Sequence, residues 1–174
     1  CVHLTKIHYD YSKLASRITV SNHHKNTSSY FSDVMLSFKD KNFLDENFIS
    51  NIENNKNELD QMIRSERDYL IDYFGFKTLC KSYLLRREGK IIERPQHMWL
   101  RVSLCIHGED LENVRKSYNL MSQKYFTHAT PTLFHSGLKY PQLSSCFLMG
   151  TEDSVDGIFS TMSDVVRISK WAGG

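Results

Sequence analysis

One thiol, Cys146, has the residue type and the neighbours that could do chemistry. It follows Ser144 and Ser145 and precedes the apolar pair Phe147 and Leu148. Free cysteine is among the most buried residue types, so a structural role in the interior is the ordinary interpretation. An accessible thiol beside two hydroxyls could instead act as a redox group or meet a polar ligand. The residues alone leave both alternatives open.

Three other positions near Cys146 carry polar groups. Thr130-Pro131-Thr132 is predicted to be a turn that stops a helix, with local bonds from side chains to backbone. Asp153 or Ser154 is predicted to cap a helix, and a helix N-terminus can also bind a phosphate or a ribose hydroxyl. Lys170 does not complete a Walker A phosphate loop, so a surface lysine at a helix C-terminus is the simpler interpretation.

The elements that must position these residues are mostly helices. Asp10 and Asp110 stand where helix N-caps are expected. Leu14 and Ile18, with Ala15 and Val20 nearby, form the apolar set of the first helix. The predicted helices cover 10–20, 30–38, 48–63, 98–105 and 110–125, followed by a last helix bearing Ile158, Met162 and Val165. The helix over 48–63 is expected to break at the Asn-rich stretch 51–57. The apolar stripe of the helix over 110–125 consists of Val114, Tyr118, Met121 and Tyr125.

Two segments change to a strand pattern. Residues 83–92 predict a β-hairpin in which Gly89 supplies a positive φ. The apolar run from Leu143 to Met149 predicts a buried strand, which would place Cys146 inside the protein.

Composition narrows the classes of protein. The 174 residues are 40% apolar and 24% charged with a net charge of +2, a globular profile that favours neither a nucleic-acid partner nor a membrane. The four cysteines form no CxxC pair, so we expect free thiols in a reducing compartment and no metal site. The chain begins without a Met, and we expect it to be a piece of a longer protein.

Several longer motifs together resemble one family. They are 14–22, 31–35, Asp72–Leu79, Ser82–Leu85, Glu93–Met98, Phe126–Phe134 and Pro141–Leu148. These segments resemble the large, catalytic subunit of class I ribonucleotide reductase of the eukaryotic type, and the resemblance extends over nearly the whole chain. It differs at His135, where the family usually has Asn, at Cys80, where an acidic residue is usual, and at Trp171, where a small residue is usual.

The resemblance implies a fold that is mostly α with a small β-hairpin. Residues 1–28 would be the C-terminal remnant of an ATP-cone, and 29–142 the helical N-terminal domain. Residues 143–174 would form the first strand and helix of a ten-stranded α/β barrel.

The resemblance also implies roles for individual residues. Cys146 would be one half of an active-site disulfide, and Thr130, Ser145 and Gly174 would contact the substrate. The residues expected to bind allosteric effectors are Asp153, Ser154, Val155 and Lys170 for a deoxynucleotide and Lys25 for the ATP-cone site.

The implied activity is reduction of ribonucleoside diphosphates to deoxyribonucleoside diphosphates by a thiyl-radical mechanism. A di-iron small subunit would supply the radical, and thioredoxin or glutaredoxin would supply the electrons. ATP or dNTP, bound with Mg, would regulate the enzyme. No cofactor would be bound covalently, and the large subunit would form a homodimer or higher oligomer in the cytoplasm. We expect the chain itself to be inactive, because the family's thiyl-radical cysteine lies beyond Gly174. Two rivals are a helical regulatory module without catalysis and a related glycyl-radical protein.

Overall fold

The computed structural model describes residues 1–171 and 173, and most of them lie in helices. The α-helices are α1 (Asp10–Lys25), α2 (Phe31–Leu36), α3 (Glu46–Asn54), α4 (Lys56–Met62), α5 (Tyr73–Ser82), α6 (Pro95–His107), α7 (Leu111–Ser122), α8 (Thr130–His135) and α9 (Val155–Lys170). Short 3₁₀ helices cover Val2–Lys6, Lys39–Lys41 and Ser65–Leu70, and the strands are β1 (Arg86–Arg87) and β2 (Lys90–Ile91). The predicted fold class, mostly α with a small hairpin, is confirmed.

Helix α6 is the centre of the packing. Its residues Leu100 and Leu104 join the larger apolar cluster, which α2, α3, α4 and α7 complete. On the other side of α6, Met98 and Val102 pack against Met121 and the α8 residue Leu133 in a second cluster. A helix that is apolar on two sides is expected to be buried, and α6 therefore fixes the elements around it.

A buried polar chain links four elements behind this core. Asp68 is fully buried and accepts hydrogen bonds from His24 Nε2 at 2.7 Å and Gln96 Nε2 at 3.0 Å. Gln96 Oε1 in turn accepts from the hydroxyl of Tyr118 at 2.8 Å, and that hydroxyl accepts from the backbone N–H of Arg64 at 2.8 Å. Each buried polar group thus has a partner, which offsets the cost of removing it from water.

Helix capping follows the sequence in two of the three predicted places. Asp110 accepts from the backbone N–H of Asn113 at 3.1 Å, a bond that lowers the pKa of the Asp110 carboxyl, and Ser154 accepts from Gly157 N–H at 3.0 Å. Asp10 is not a cap: it is the first residue of α1, and Tyr9 occupies the cap position without a side-chain bond.

The predicted apolar set of the first helix is confirmed at Ala15 and Val20 and wrong at Leu14 and Ile18. Leu14 and Ile18 are 45% and 53% exposed, whereas Ala15, Ser16 and Val20 are buried. Helix α1 lies against α5 and against the 3₁₀ helix Ser65–Leu70 that precedes α5. The Ser16 hydroxyl donates to the carbonyl of Ile71, 2.5 Å away, so small residues form the contact. Similarly, Tyr125 lies outside the apolar stripe because α7 already ends at Ser122.

The predicted hairpin is present but shorter than 83–92. Arg86 pairs with Ile91 and Arg87 with Lys90 in an antiparallel register. The two residues between the strands, Glu88 and Gly89, have φ of 52° and 77°. Two successive positive φ values are typical of the tight turn whose twist matches that of the strands.

The predicted strand from Leu143 to Met149 does not form. The segment is without regular structure, Cys146 is exposed, and Leu148 is 99% exposed. A strand needs a neighbour to pair its backbone groups, and the described residues provide a two-stranded hairpin elsewhere and no ladder here. The barrel start proposed for 143–174 therefore stays a prediction. No helix in residues 1–171 has the length and apolar character to cross a bilayer.

Candidate functional site around Cys146

Helix α8 is the platform of the candidate site. The sequence suggested that Pro131 stops a helix, but Pro131 instead lies in the first turn of α8, where its missing N–H costs nothing. Thr130 begins this helix and is exposed, and its hydroxyl lies 3.1 Å from the hydroxyl of Tyr83. The Tyr83 ring stacks on Phe134 with 4.7 Å between ring centroids, so the partner of Thr130 is itself held in place.

A buried ion pair holds the C-terminal end of α8 in place through hydrogen bonds. Arg101 and Glu93 are both fully buried, with Arg101 Nε 2.7 Å from Glu93 Oε1. The same guanidinium donates to the carbonyls of Ser136 at 2.8 Å and Leu133 at 3.1 Å. Glu93 also accepts from the backbone N–H of Leu85 at 2.8 Å, so each charged group has hydrogen-bond partners beyond the ion pair.

Two side chains of α8 hold the segment that leads to Cys146. Thr132 Oγ1 donates to the carbonyl of Leu143 at 3.0 Å. His135 Nδ1 lies 2.8 Å from the carbonyl of Gln142. A carbonyl can only accept, so His135 Nδ1 must carry the proton in this contact.

Cys146 itself is an exposed free thiol. The hydroxyl of Ser145 lies 3.7 Å from its sulfur, and both side chains face solvent. Cys80 differs, because burial raises the pKa of its thiol and so disfavours the reactive thiolate. Cys146 is therefore accessible among the described residues, and its chemical role stays a prediction.

The residues predicted for effector binding are separated in the structure. Asp153, Ser154 and Val155 lie exposed at the start of α9, and Lys170 is its last residue, with Nζ 5.5 Å from the Trp171 ring centroid. At 1.5 Å rise per residue the two ends of α9 are about 22 Å apart.

Two predicted site residues remain. Lys25 is exposed at the end of α1, on an open surface that it shares with Arg17 and Ser21. Gly174 lies outside the described residues. Among residues 1–171 and 173, no three His, Cys, Asp or Glu side chains gather as a metal site would require.

Helix α9 presents an apolar face to solvent. None of its residues is buried. The exposed apolar residues are Val155, Ile158, Phe159, Met162, Val165 and Val166. Their spacing places them on one side of the helix, as the sequence pattern predicted, although nothing in the described chain covers them.

Sequence reasoning missed Arg101, Glu93 and Tyr83. Arg101 had a visible signal, because it stands between Leu100 and Val102 in an otherwise apolar helix. A charge in such a place is expected to have a buried partner. Tyr83 had no signal beyond its place at the start of the predicted hairpin, since its contact with Thr130 joins distant parts of the chain.

The fold is that of a helical domain with one small hairpin. Its candidate site presents a solvent-accessible thiol beside hydroxyl groups. A family model described as "Ribonucleotide reductase, all-alpha domain" matches residues 69–141. The chain belongs to the ribonucleotide reductase large-subunit family.

Relatives match the chain from end to end. It is 46% identical to the ribonucleoside-diphosphate reductase large chain 2 of Saccharomyces cerevisiae and 49% identical to the large chain of Cryptosporidium parvum, with 100% of this chain covered in both. It is 48% identical to the large subunit of Arabidopsis thaliana over 98% of its length. The chain spans 21%, 23% and 22% of these three relatives, about a fifth of their length.

Proposed function

We propose that the protein containing this chain is the large chain of a ribonucleoside-diphosphate reductase and that Cys146 is one of its redox thiols. The observation that carries the proposal is the exposure of Cys146 beside Ser145, on a segment held by α8. The names of the relatives support the reaction, although the chain covers about a fifth of each.

The reaction replaces the ribose 2′-hydroxyl by hydrogen, which needs two electrons and two protons. Two thiols supply both: their S–H bonds break, one S–S bond forms, the 2′-oxygen leaves as water and hydrogen replaces it at carbon. Cys146 is proposed as one of these thiols, with the second from another part of the enzyme. Thiol–disulfide exchange with thioredoxin or glutaredoxin would then restore the dithiol, a step that requires the accessible sulfur seen here.

Substrate positioning is assigned to hydroxyl groups on both sides of the thiol. Thr130 and Ser145 would contact the nucleoside diphosphate, and Gly174 is proposed as a third contact. The hydrogen bond between Tyr83 and Thr130 would orient the Thr130 hydroxyl, leaving its other hydrogen-bonding capacity for substrate. Preset groups of this kind reduce the entropy that must be lost when the reacting atoms meet.

Helix α9 is proposed as part of a dimer interface. Because Asp153 and Lys170 lie at opposite ends of the helix, a single deoxynucleotide would not reach both on one chain. Antiparallel pairing of two α9 helices through their apolar faces would bring Lys170 of one copy close to Asp153, Ser154 and Val155 of the other. A deoxynucleotide bound there, with Mg, would then regulate the enzyme across the interface.

The remaining parts of the proposal follow the family. Lys25 would belong to an ATP site, a di-iron small subunit would deliver the radical, and the enzyme would act in the cytoplasm. The isolated chain would have no activity.

The deciding experiment is nucleoside-diphosphate reduction by the full-length large chain with its small subunit and a deoxynucleotide effector. Cys146→Ser is compared with wild type and with Cys1→Ser, which also removes an exposed thiol. Loss of turnover in Cys146→Ser alone, with effector binding retained, is the expected result. Normal turnover by Cys146→Ser would reject its role as a redox thiol. An inactive wild type would instead favour a helical regulatory module.

A further inference from the structure

We infer that His135 is a positioning residue for Cys146, and that Thr132 assists it; the inference rests on the proposed function. The contact of His135 Nδ1 with the carbonyl of Gln142 at 2.8 Å precedes the thiol by only a few residues. The contact from Thr132 to the next carbonyl, that of Leu143, reinforces it.

Within the described part of the chain the segment has little other support. From Leu143 to Met149 it adopts no regular structure, and most of its residues are exposed. Among the hydrogen bonds of the described residues, those from Thr132 and His135 are the ones that tie 142–149 to the helical domain. Cys146 follows Leu143 by about 10 Å of extended chain, so a shift of the anchor moves the sulfur.

The C-terminal end of α8, which carries His135, is held in place by Arg101. Arg101 binds the carbonyls of Leu133 and Ser136, one on each side of His135 in the sequence. The guanidinium is fully buried and held by Glu93, so α8 cannot rotate without breaking the hydrogen bonds from Arg101 to these two carbonyls. His135 is half-buried and thus reaches this irregular segment from a fixed base.

Helix α8 therefore sets a distance that matters for the reaction. Thr130, the proposed substrate contact, begins the helix, and His135 ends it, about 7.5 Å further along the axis. One short helix thus holds both the substrate hydroxyl and the anchor of the thiol segment. A misplacement of about 1 Å between reacting groups can cost on the order of 100-fold in rate.

The test uses two substitutions at His135 in the full-length large chain with its small subunit. In His135→Asn the amide nitrogen lies about where Nδ1 lies and can still donate, whereas His135→Leu fills similar space without a donor. We expect His135→Leu to lower kcat by about tenfold or more with KM changed less than about threefold. His135→Asn is expected to keep kcat within about threefold of wild type, and effector binding is expected to be unchanged in both.

A second measurement does not depend on turnover. Amide hydrogen exchange of residues 144–148 in the same proteins is expected to rise in His135→Leu and to stay at the wild-type rate in His135→Asn. If wild type has no reductase activity, the proposed function fails, while the exchange contrast still decides whether His135 holds the segment. Equal exchange in all three proteins, or equal loss of kcat in both variants, would overturn the inference.

Discussion

Replacing Arg101 with Met should strongly destabilise the helical domain. The substitution keeps most of the side-chain volume but removes the guanidinium, which makes four hydrogen bonds of 2.7–3.2 Å. Glu93 would stay fully buried with the Leu85 N–H as its remaining partner. Breaking a buried pair by removing one partner costs about 3–5 kcal/mol, because a charge stays behind without compensation.

The chain contains a matched control for this effect. Arg115 and Glu58 form an ion pair at 3.0 Å, but both side chains are about half exposed, at 47% and 48%. Arg115→Met is therefore expected to cost less than about 1 kcal/mol. The double variant Arg101→Met/Glu93→Met removes the stranded charge and is expected to recover about 1–2 kcal/mol of the loss in the single variant.

Urea unfolding followed by far-UV circular dichroism measures all four proteins. We expect a much lower midpoint for Arg101→Met than for wild type, with a nearly unchanged midpoint for Arg115→Met. If Arg101→Met cost no more than Arg115→Met, the buried pair would not stabilise α8 as argued. A double variant less stable than Arg101→Met would show that the stranded charge is not the source of the cost.

Three further outcomes are expected. Burial and the nearby Arg94 lower the pKa of His97 from 6.5 to about 3. The neutral ring therefore stabilises the fold fully above pH 6.5, and this contribution is lost as pH falls toward 3. Between pH 6.5 and pH 5 the free energy of unfolding of wild type should fall by about 2 kcal/mol more than that of His97→Gln, as measured by urea titrations. Tyr118→Phe leaves Gln96 Oε1 and Arg64 N–H without their partner and should cost about 1–3 kcal/mol, measured in the same way; no change in stability would show that water replaces the hydroxyl. The proposed α9 interface predicts that Met162→Asp on its apolar face shifts the full-length large chain from dimer to monomer in sedimentation, whereas Ser160→Asp on the opposite side does not. Identical behaviour of the two variants would reject α9 as the interface.

Local features of the fold could be predicted from sequence because their determinants are near in the chain. The hairpin depends on Gly89 and its neighbours, and the starts of α7 and α9 depend on Asp110 and Ser154, each bonded three residues ahead. The break between α3 and α4 lies at Asn55, within the Asn-rich stretch where the sequence predicted it.

Features that depend on distant partners could not be predicted in this way. The run from Leu143 to Met149 has strand composition, but a strand also requires a neighbour, and its sequence carries no information about one. Leu14 and Ile18 are the larger apolar residues of α1, yet packing against α5 selects the face with Ala15 and Val20.

The candidate site shows the same division. The type of Cys146 and its neighbour Ser145 could be read from the sequence, and both indicated a possible reactive thiol. The support behind them could not, because Arg101 reaches Ser136 and His135 reaches Gln142 through tertiary structure. Assignment of Cys146 to chemistry thus came from its residue type and the family resemblance, while the account of how it is held required the fold.

The buried carboxylate of Asp68 has a consequence for how this sequence can diverge. Its partners His24 and Gln96 come from separate helices, and Gln96 is bonded in turn to Tyr118. Loss of any one member leaves another polar group unpaired in the interior, a cost that a marginally stable domain tolerates poorly. Substitutions at these four positions should therefore be accepted together or not at all, and aligned relatives should show them as a correlated set.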